Sequence, residues 1–130
     1  YDQGGGDVDS CHNYFYPLRI RPGGRTVALS EYGGIAWPMP GHEPPGKTYG
    51  YGTAKDKADL TKRYKMLQWK TILPQLGRGL SALVYTQLTD VEDEVNGLFT
   101  YDRAALKLEA AAVRSCNAAL AAEFAKVTAK

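Results

Sequence analysis

The chain has 130 residues and a formal net charge of +2, with 44% apolar and 23% charged residues. These proportions are ordinary for a globular domain and exclude an intrinsically disordered segment. The lysines are densest in residues 55–65, where they alternate with aspartates, which indicates a solvated helix face and no nucleic-acid partner. No apolar run approaches the roughly 18 residues that span a bilayer, so no membrane partner is predicted. The absence of a visible signal peptide leaves the compartment open between cytoplasm and export.

Two strands are predicted in the first third of the chain. Residues 7–14 follow a glycine-rich loop at 1–6, and Pro17 stops them. The second strand is predicted over 26–34, which begins with a short apolar run typical of a strand buried on both faces. Only about 11 residues separate the two strands, fewer than a parallel crossover requires. Either the helix of this crossover is degenerate, or the first strand is misplaced.

A long loop and a helix follow the second strand. Residues 35–52 are rich in proline, glycine and aromatic residues, and a loop of this length inside a domain is usually functional. A helix is predicted from about Lys57, with Asp56 or Thr53 as its N-cap. Pro74 is expected to distort its last turn.

The last part of the chain repeats the alternation of strand and helix. A third strand is predicted over 80–88, a polar loop with a turn signal at Asn96-Gly97 follows, and an alanine-rich amphipathic helix is predicted over about 105–126. Alternating strands and helices predict an α/β fold with a parallel sheet. The long loops after the second and third strands lie where an α/β barrel has its active site.

The two cysteines do not indicate a metal site. Cys11 and Cys116 lack a CxxC partner, and only His12 and His42 could help them bind zinc. We interpret both cysteines as small buried apolar residues, with a disulfide between them as the lesser alternative.

Glu31 is the first candidate for a catalytic residue. It directly follows the apolar residues of the second strand and precedes Tyr32 and two glycines. Its carboxylate is therefore expected at the carboxyl end of the strand, the face at which α/β barrels place their catalytic residues. A glutamate that simply leaves the sheet at a solvated rim would have the same sequence position, so position alone leaves both interpretations open.

Aromatic residues are frequent in the segments predicted to surround Glu31. Tyrosine and tryptophan combine an apolar face with a polar tip, which suits the C–H faces and hydroxyl groups of sugar rings. Packing beneath the loops is the alternative for each of them. The candidates are Tyr14, Tyr32, Trp37, Tyr49, Tyr51 and Tyr85.

An acidic run in the loop after the third strand is a separate candidate. Asp90, Glu92, Asp93 and Glu94 lack the spacing of a calcium-binding loop. We interpret them as a solvated loop and predict no metal.

Three motifs in order resemble glycoside hydrolase family 2. The stretch LSEYGGIAW, Leu29 to Trp37, looks like the nucleophile motif of that family. The stretch YTQLTDVEDEVNGLFTYDR, from Tyr85, is similar to the segment after the eighth barrel strand in one bacterial branch of the family. His12–Tyr14 resembles the end of the sixth strand in the same branch. The resemblance extends from about Asp7 to Asn117.

The resemblance implies roles for individual residues. Glu31 matches the catalytic nucleophile, and Tyr14 matches the tyrosine that hydrogen-bonds it. For Trp37 and Gln87 a structural role remains an equal alternative. The residues implied in substrate binding are His12, Asn13, Trp37, Thr86, Gln87 and Asp90.

The resemblance also implies a fold and an activity. Residues 1–130 would be a partial catalytic domain, the C-terminal portion of a (β/α)8 TIM barrel with about strands 6–8. The activity would be retaining hydrolysis of a terminal β-linked sugar, as in β-galactosidases, with a carbohydrate substrate and no cofactor. Family members sometimes bind Mg²⁺ or Na⁺ near the active site, and no such ion is predicted here. The sequence leaves the identity of the sugar open.

One departure from the family limits the expected activity. The acid/base glutamate of the family lies in an Asn-Glu pair after the fourth strand, and the sequence contains no such pair. The chain starts at Tyr1, and we expect it to be part of a longer protein and inactive alone. A non-enzymatic carbohydrate-binding or scaffolding fragment is the alternative. Open barrel edges would favour a homo-oligomer.

Overall fold

The chain forms a mixed α/β structure on a three-stranded parallel sheet, in a computed structural model that describes residues 2–129. Tyr1, the first residue of the predicted N-terminal loop, lies outside the described residues. The strands in chain order are β1 (Val8–Asn13), β2 (Thr26–Gly33) and β3 (Leu80–Thr86). Both neighbouring pairs, β1–β2 and β2–β3, are parallel. The predicted α/β class and parallel sheet are confirmed.

The crossover from β1 to β2 contains no helix. β1 lies where it was predicted, and residues 14–25 connect it to β2 as irregular chain. Ile20 of this connection is buried among the core residues, and its N–H donates to the side-chain oxygen of Gln75 at 3.0 Å. The first of the two alternatives therefore applies, because an irregular segment replaces the crossover helix and fills part of its packing.

One face of the sheet is covered by a continuous helical run. It consists of α1 (Lys57–Met66), a π-helical segment (Leu67–Ile72) and α2 (Leu73–Leu76). The carboxylate of Asp56 caps α1 by accepting the N–H of Asp59 at 2.8 Å. Pro74 has no N–H, and its ring crowds the carbonyl four residues earlier. The π-helical segment lies directly before it, which confirms the predicted distortion.

The main core lies between the sheet and this helical run. Two further residues of α3 (Ala110–Thr128), Leu120 and Val127, pack against it. On the opposite face of the sheet, the side chain of Val84 is 57% exposed. The sheet thus has one covered face and one open face. The buried core residues are Ile20, Val27, Leu29, Tyr32, Leu67, Ile72, Leu76 and Leu80.

The C-terminal helix begins later than the sequence predicts. Residues 105–108 are irregular, because Lys107 donates its N–H to the carbonyl of Leu98 at 2.8 Å and Leu106 forms an isolated bridge with Phe99. Leu108, part of the predicted apolar stripe, packs instead in a second core cluster before the helix starts. α3 then starts at Ala110. The apolar spacing was right, but the first residue of the stripe belongs to an irregular segment.

The end of β3 and the position of a turn also differ from the prediction. β3 ends at Thr86, and Leu88 is exposed beyond it. The turn predicted at Asn96-Gly97 lies instead at residues 92–93, where Glu92 has a φ of 54°. Gly97 is required because its backbone passes directly against residue Asp90, where a Cβ atom would clash.

The two cysteines do not form a disulfide bond. Cys116 is buried and Cys11 partly buried, and both are free thiols. Within residues 2–129, none of the helices combines the length and apolar character needed to cross a bilayer.

Candidate active site

Glu31 lies near the carboxyl end of the central strand, β2. Adjacent residues in a strand point to opposite faces of the sheet. Tyr32 therefore points into the core, where its hydroxyl is hydrogen-bonded to Gln68. The side chain of Glu31 points to the open face and is 44% exposed. The carboxylate is thus accessible from solvent and is placed on a rigid element.

An irregularity in the pairing of β1 with β2 brings His12 to Glu31. The register passes from Cys11 opposite Leu29 to His12 opposite Glu31, so Ser30 is an extra residue in β2. Its hydroxyl donates to the carbonyl of Cys11 at 3.1 Å. As a result, Nδ1 of His12 lies 3.3 Å from Oε2 of Glu31.

Tyr14 is the second polar neighbour of Glu31. It follows β1, and its phenolic hydroxyl donates to Oε2 of Glu31 at 2.7 Å. The phenolic oxygen of Tyr14 also lies 3.2 Å from Oγ1 of Thr86, at the end of β3. Burial is the main cause that raises the pKa of Tyr14 to about 12, and the neighbouring Glu31 adds to it. The phenol therefore keeps its proton at neutral pH and donates a hydrogen bond to the carboxylate.

A polar cavity of about 290 Å³ lies between Glu31 and the loop after β3. Glu92, Asp93 and Glu94 line this cavity together with Glu31. The sequence suggested that these carboxylates form only a solvated loop, and the structure places them beside the candidate nucleophile. The other lining residues are Tyr14, Thr86, Gln87 and Val91.

A hydrogen-bond network positions one of these carboxylates. The amide nitrogen of Gln87 donates to Oδ1 of Asn96 at 2.8 Å, and the amide nitrogen of Asn96 donates to Oε2 of Glu94 at 2.9 Å. Gln87 also lines the polar cavity. Gln87 thus connects the end of β3 to the acidic loop. Asn96 does not line the polar cavity but bridges Gln87 and Glu94. No signal in the sequence indicated this bridging role, because Asn96-Gly97 resembles a simple turn.

Asp90 lies beneath the loop and does not line the cavity. Its two carboxylate oxygens accept from the ammonium group of Lys107 at 2.8 and 3.0 Å, and one of them accepts the N–H of Gly97 at 2.7 Å. Lys107 also donates to the carbonyl of Val95 at 2.8 Å. Burial raises the pKa of Asp90 and lowers that of Lys107, while their pairing opposes both shifts. Asp90 thus anchors the acidic loop.

Trp37 also occupies a structural position. It is buried in the second core cluster with Ala54, Leu60 and Leu108. It lines neither of the cavities that border Glu31. The structure therefore places Trp37 and Asp90 in packing and anchoring positions, apart from the other candidate binding residues.

A second cavity, of about 520 Å³, borders Glu31 on the side of β1. We call it the aromatic cavity. The rings of Tyr14 and Tyr51 stack in it with centroids 3.9 Å apart, and Phe15 meets Tyr51 edge to face at 5.7 Å. Its lining residues are His12, Asn13, Tyr14, Phe15, Glu31 and Tyr51.

The predicted group of aromatic residues is thus divided. Tyr49 contacts Tyr51 at 5.5 Å and belongs to the aromatic cluster near Glu31. Tyr32 and Tyr85 pack against each other in the core on the other face of the sheet. Phe15 was not singled out from the sequence, since a lone phenylalanine after a strand gives no signal.

The site has no metal-binding cluster among its described residues, and the chain matches no known family. Among residues 2–129, no group of three or more His, Cys, Asp or Glu side chains is arranged to bind a metal ion. No protein-family model matches the chain, and a comparison with curated proteins finds no match.

Proposed function

We propose that this chain contains the nucleophile of a retaining β-glycosidase, and that the nucleophile is Glu31. The observation that supports this most directly is the 2.7 Å hydrogen bond from Tyr14 to Glu31 at the carboxyl end of a central parallel strand. A donor at this distance holds the carboxylate in one orientation, and the carboxylate is the form that attacks. The resemblance of residues 29–37 to the nucleophile motif of glycoside hydrolase family 2 agrees with this assignment.

The proposal includes the larger fold. Within residues 2–129, β1 and β3 each pair with a strand on one side only, and the open face of the sheet exposes Val84. Helices cover the other face. These features support our proposal that the chain is a segment of a (β/α)8 barrel, with the open face toward the barrel axis. The chain would supply about strands 6–8. Without the other strands, its open edges would favour association with a second copy.

The proposed reaction uses two carboxyl groups on opposite sides of the glycosidic bond, about 5 to 5.5 Å apart. Glu31 attacks the anomeric carbon and forms an ester bond as the bond to the leaving oxygen breaks. A carboxylic acid elsewhere in the barrel donates its proton to that oxygen. The resulting carboxylate then takes a proton from water, whose oxygen displaces Glu31 from the anomeric carbon.

The polar cavity suits the sugar that is attacked. Hydroxyl groups of a sugar donate to carboxylates and amide oxygens, and the cavity offers Glu92, Asp93 and Glu94 as acceptors. Thr86 and Gln87 add a hydroxyl and an amide at the end of β3. His12 and Asn13, at the end of β1, line the aromatic cavity on the other side of Glu31.

The test is covalent trapping on the full-length protein that contains this chain. It is incubated with a panel of 2-deoxy-2-fluoro β-glycosides bearing good leaving groups, which accumulate the glycosyl-enzyme, and the labelled peptide is mapped by mass spectrometry. Label on Glu31 is expected, and Glu31→Gln should abolish it. Glu43→Gln, a change of an exposed glutamate that lines neither cavity, is the matched control. Absence of label and of turnover with every sugar would favour a carbohydrate-binding fragment.

A further inference from the structure

The aromatic cavity and the polar cavity border Glu31 from opposite sides. The polar cavity is on the side of β3, with Thr86 and Gln87 in its wall. The aromatic cavity is on the side of β1, with Phe15 and Tyr51 in its wall. Glu31 and Tyr14 line both cavities, so a molecule that occupies both lies against these two residues.

We infer that Phe15, supported by Tyr51, forms a stacking surface for the ring of the leaving group. This inference rests on the proposed glycosidase function and assigns a part of the substrate to each cavity. The sugar whose anomeric carbon is attacked occupies the polar cavity. The leaving group, a six-membered ring with a flat C–H or π face, lies against the aromatic residues.

The aromatic cluster is built to present an exposed ring. The side chain of Phe15 is 75% exposed, although it is a large apolar residue. It is supported edge-on by Tyr51, and Tyr51 is packed between the stacked ring of Tyr14 and the edge of Tyr49. The backbone of Phe15 is fixed by its N–H, which donates to the side-chain oxygen of Asn13 at 2.8 Å. A supported aromatic face of this kind stacks on another ring with little loss of side-chain freedom.

The chemistry of the two cavities decides which part of the substrate each takes. The attacked sugar needs partners for several hydroxyl groups, and the polar cavity has three loop carboxylates besides Glu31. In the aromatic cavity three of six lining residues are aromatic, and the oxygen of Asn13 already accepts a hydrogen bond. The leaving group therefore lies on the β1 side.

The test compares leaving groups with and without a ring in the full-length protein. For the sugar that labels Glu31, kcat/KM is measured with an aryl β-glycoside, a β-linked disaccharide and the β-glycosyl fluoride. Phe15→Ala should lower kcat/KM roughly two- to twelve-fold for the substrates with a ring, the size of one aromatic pair. The fluoride, whose leaving group has no ring, should react at the wild-type rate. Phe15→Tyr keeps the ring and should therefore keep the wild-type kcat/KM for these substrates.

The control and the opposing outcomes separate this inference from the proposed function. Phe124→Ala removes an equally apolar, exposed ring from α3, away from both cavities, and should change none of the three rates. A loss confined to the aryl glycoside or to the disaccharide would identify the natural leaving group. An equal loss for the fluoride, or no loss at all, in an enzyme that labels on Glu31 would overturn the inference alone. Absence of label and of hydrolysis in the wild type would overturn both proposals.

Discussion

The phenolic hydroxyl of Tyr14 donates to Oε2 of Glu31 at 2.7 Å, across the carboxyl ends of two neighbouring parallel strands. Nδ1 of His12 lies 3.3 Å from the same oxygen, at the point where the extra residue Ser30 of β2 puts His12 opposite Glu31. The carboxylate of Glu31 is therefore oriented from one side by two residues of the β1 segment. Both of these contacts are made by Oε2, and neither involves Oε1.

Tyr14→Phe should lower kcat/KM of the full-length protein roughly ten- to 150-fold. This is the factor that corresponds to losing one hydrogen bond to a charged group, about 1.5 to 3 kcal/mol. The measurement is the rate of aryl glycoside hydrolysis, together with the rate of labelling by the 2-fluoro sugar. Tyr101→Phe, at an exposed tyrosine outside both cavities, is the control and should keep the wild-type rate. Equal rates for Tyr14→Phe and the control would contradict the proposed orienting role.

The same hydroxyl predicts a dependence of stability on pH. Burial raises the pKa of Tyr14 from 10.0 to about 12 in the folded protein. A raised pKa means that the folded state binds the proton more tightly than the unfolded state. The contribution of the neutral phenol is therefore complete below pH 10 and is lost between pH 10 and about 12. Urea unfolding of wild type and Tyr14→Phe should show a stability difference that changes only in that interval. A change between pH 6 and 9 would argue against it.

Gly34 should be intolerant of alanine because of the two rings beside it. Its φ is +63°, and a Cβ atom there would lie 2.7 Å from the ring of Tyr51 and 2.8 Å from that of Tyr14. Gly34→Ala should cost about 2 to 5 kcal/mol, the sum of backbone strain and overpacking. The displacement of Tyr14 should also lower the rate of Glu31 labelling.

Gly46 provides the matched control for this substitution. It also has a positive φ, +95°, but a Cβ atom there has no heavy atom within 4 Å. Gly46→Ala should therefore show the backbone strain alone, about 1 to 2 kcal/mol, and a normal labelling rate. Both variants are compared by thermal unfolding. If they lose equal stability and label at equal rates, the close approach of the rings at Gly34 has no energetic effect.

Most of the fold could be predicted from the sequence, because the signals involved are local. The apolar run after Thr26 determines β2, and the cap at Asp56 determines the start of α1. Pro74 accounts for the distortion of the helical run that precedes it. The start of α3 could not be predicted, since residues 105–108 satisfy their hydrogen bonds with the loop at 98–100. That pairing competes with a helix and depends on tertiary contacts.

The candidate site was predictable to a similar degree. The position of Glu31 at a strand end follows from the apolar pattern, and the contact with Tyr14 is the one that the family resemblance implies. The side chain of Asp90 has a buried lysine partner 17 residues away, which no local pattern indicates. The division of the aromatic residues between Tyr51 and the core also depends on which face of the sheet each one reaches.

The Asp90–Lys107 pair should be essential for the stability of the acidic loop. Lys107 is fully buried and donates to Asp90 and to a backbone carbonyl. Lys107→Met leaves a buried carboxylate without its partner, which should cost about 3 to 5 kcal/mol. The double variant Asp90→Asn, Lys107→Met removes both charges and should recover part of that loss. Chemical denaturation measures both.

The surface pair Lys126–Glu123 is the control for this experiment. Lys126 is exposed, and its ammonium group lies 3.3 Å from the carboxylate of Glu123. Exposed pairs contribute about 0 to 1 kcal/mol, so Lys126→Met should unfold almost as the wild type does. A Lys107→Met variant that is as stable as Lys126→Met would contradict the anchoring role of the buried pair.

The carboxylates around the polar cavity predict a preference for a neutral sugar over an acidic one. Glu31, Glu92, Asp93 and Glu94 all line this cavity, and no lysine or arginine does. A uronic acid sugar would place its own carboxylate beside them, and like charges at such distances repel. In the full-length protein, aryl β-glycosides of neutral sugars should therefore react with a higher kcat/KM than aryl β-uronides.

Ionic strength distinguishes this repulsion from a steric effect. Raising the salt from about 0.01 to 1 M shortens the Debye length from about 30 to 3 Å. The kcat/KM for the uronide should then rise relative to that for the neutral glycoside. Asp93→Asn should produce part of the same change at low salt, while Asp7→Asn, an exposed aspartate at the start of β1 and outside the cavity, should not. A uronide that reacts faster than the neutral glycoside at low salt would show that the loop carboxylates do not face the bound sugar.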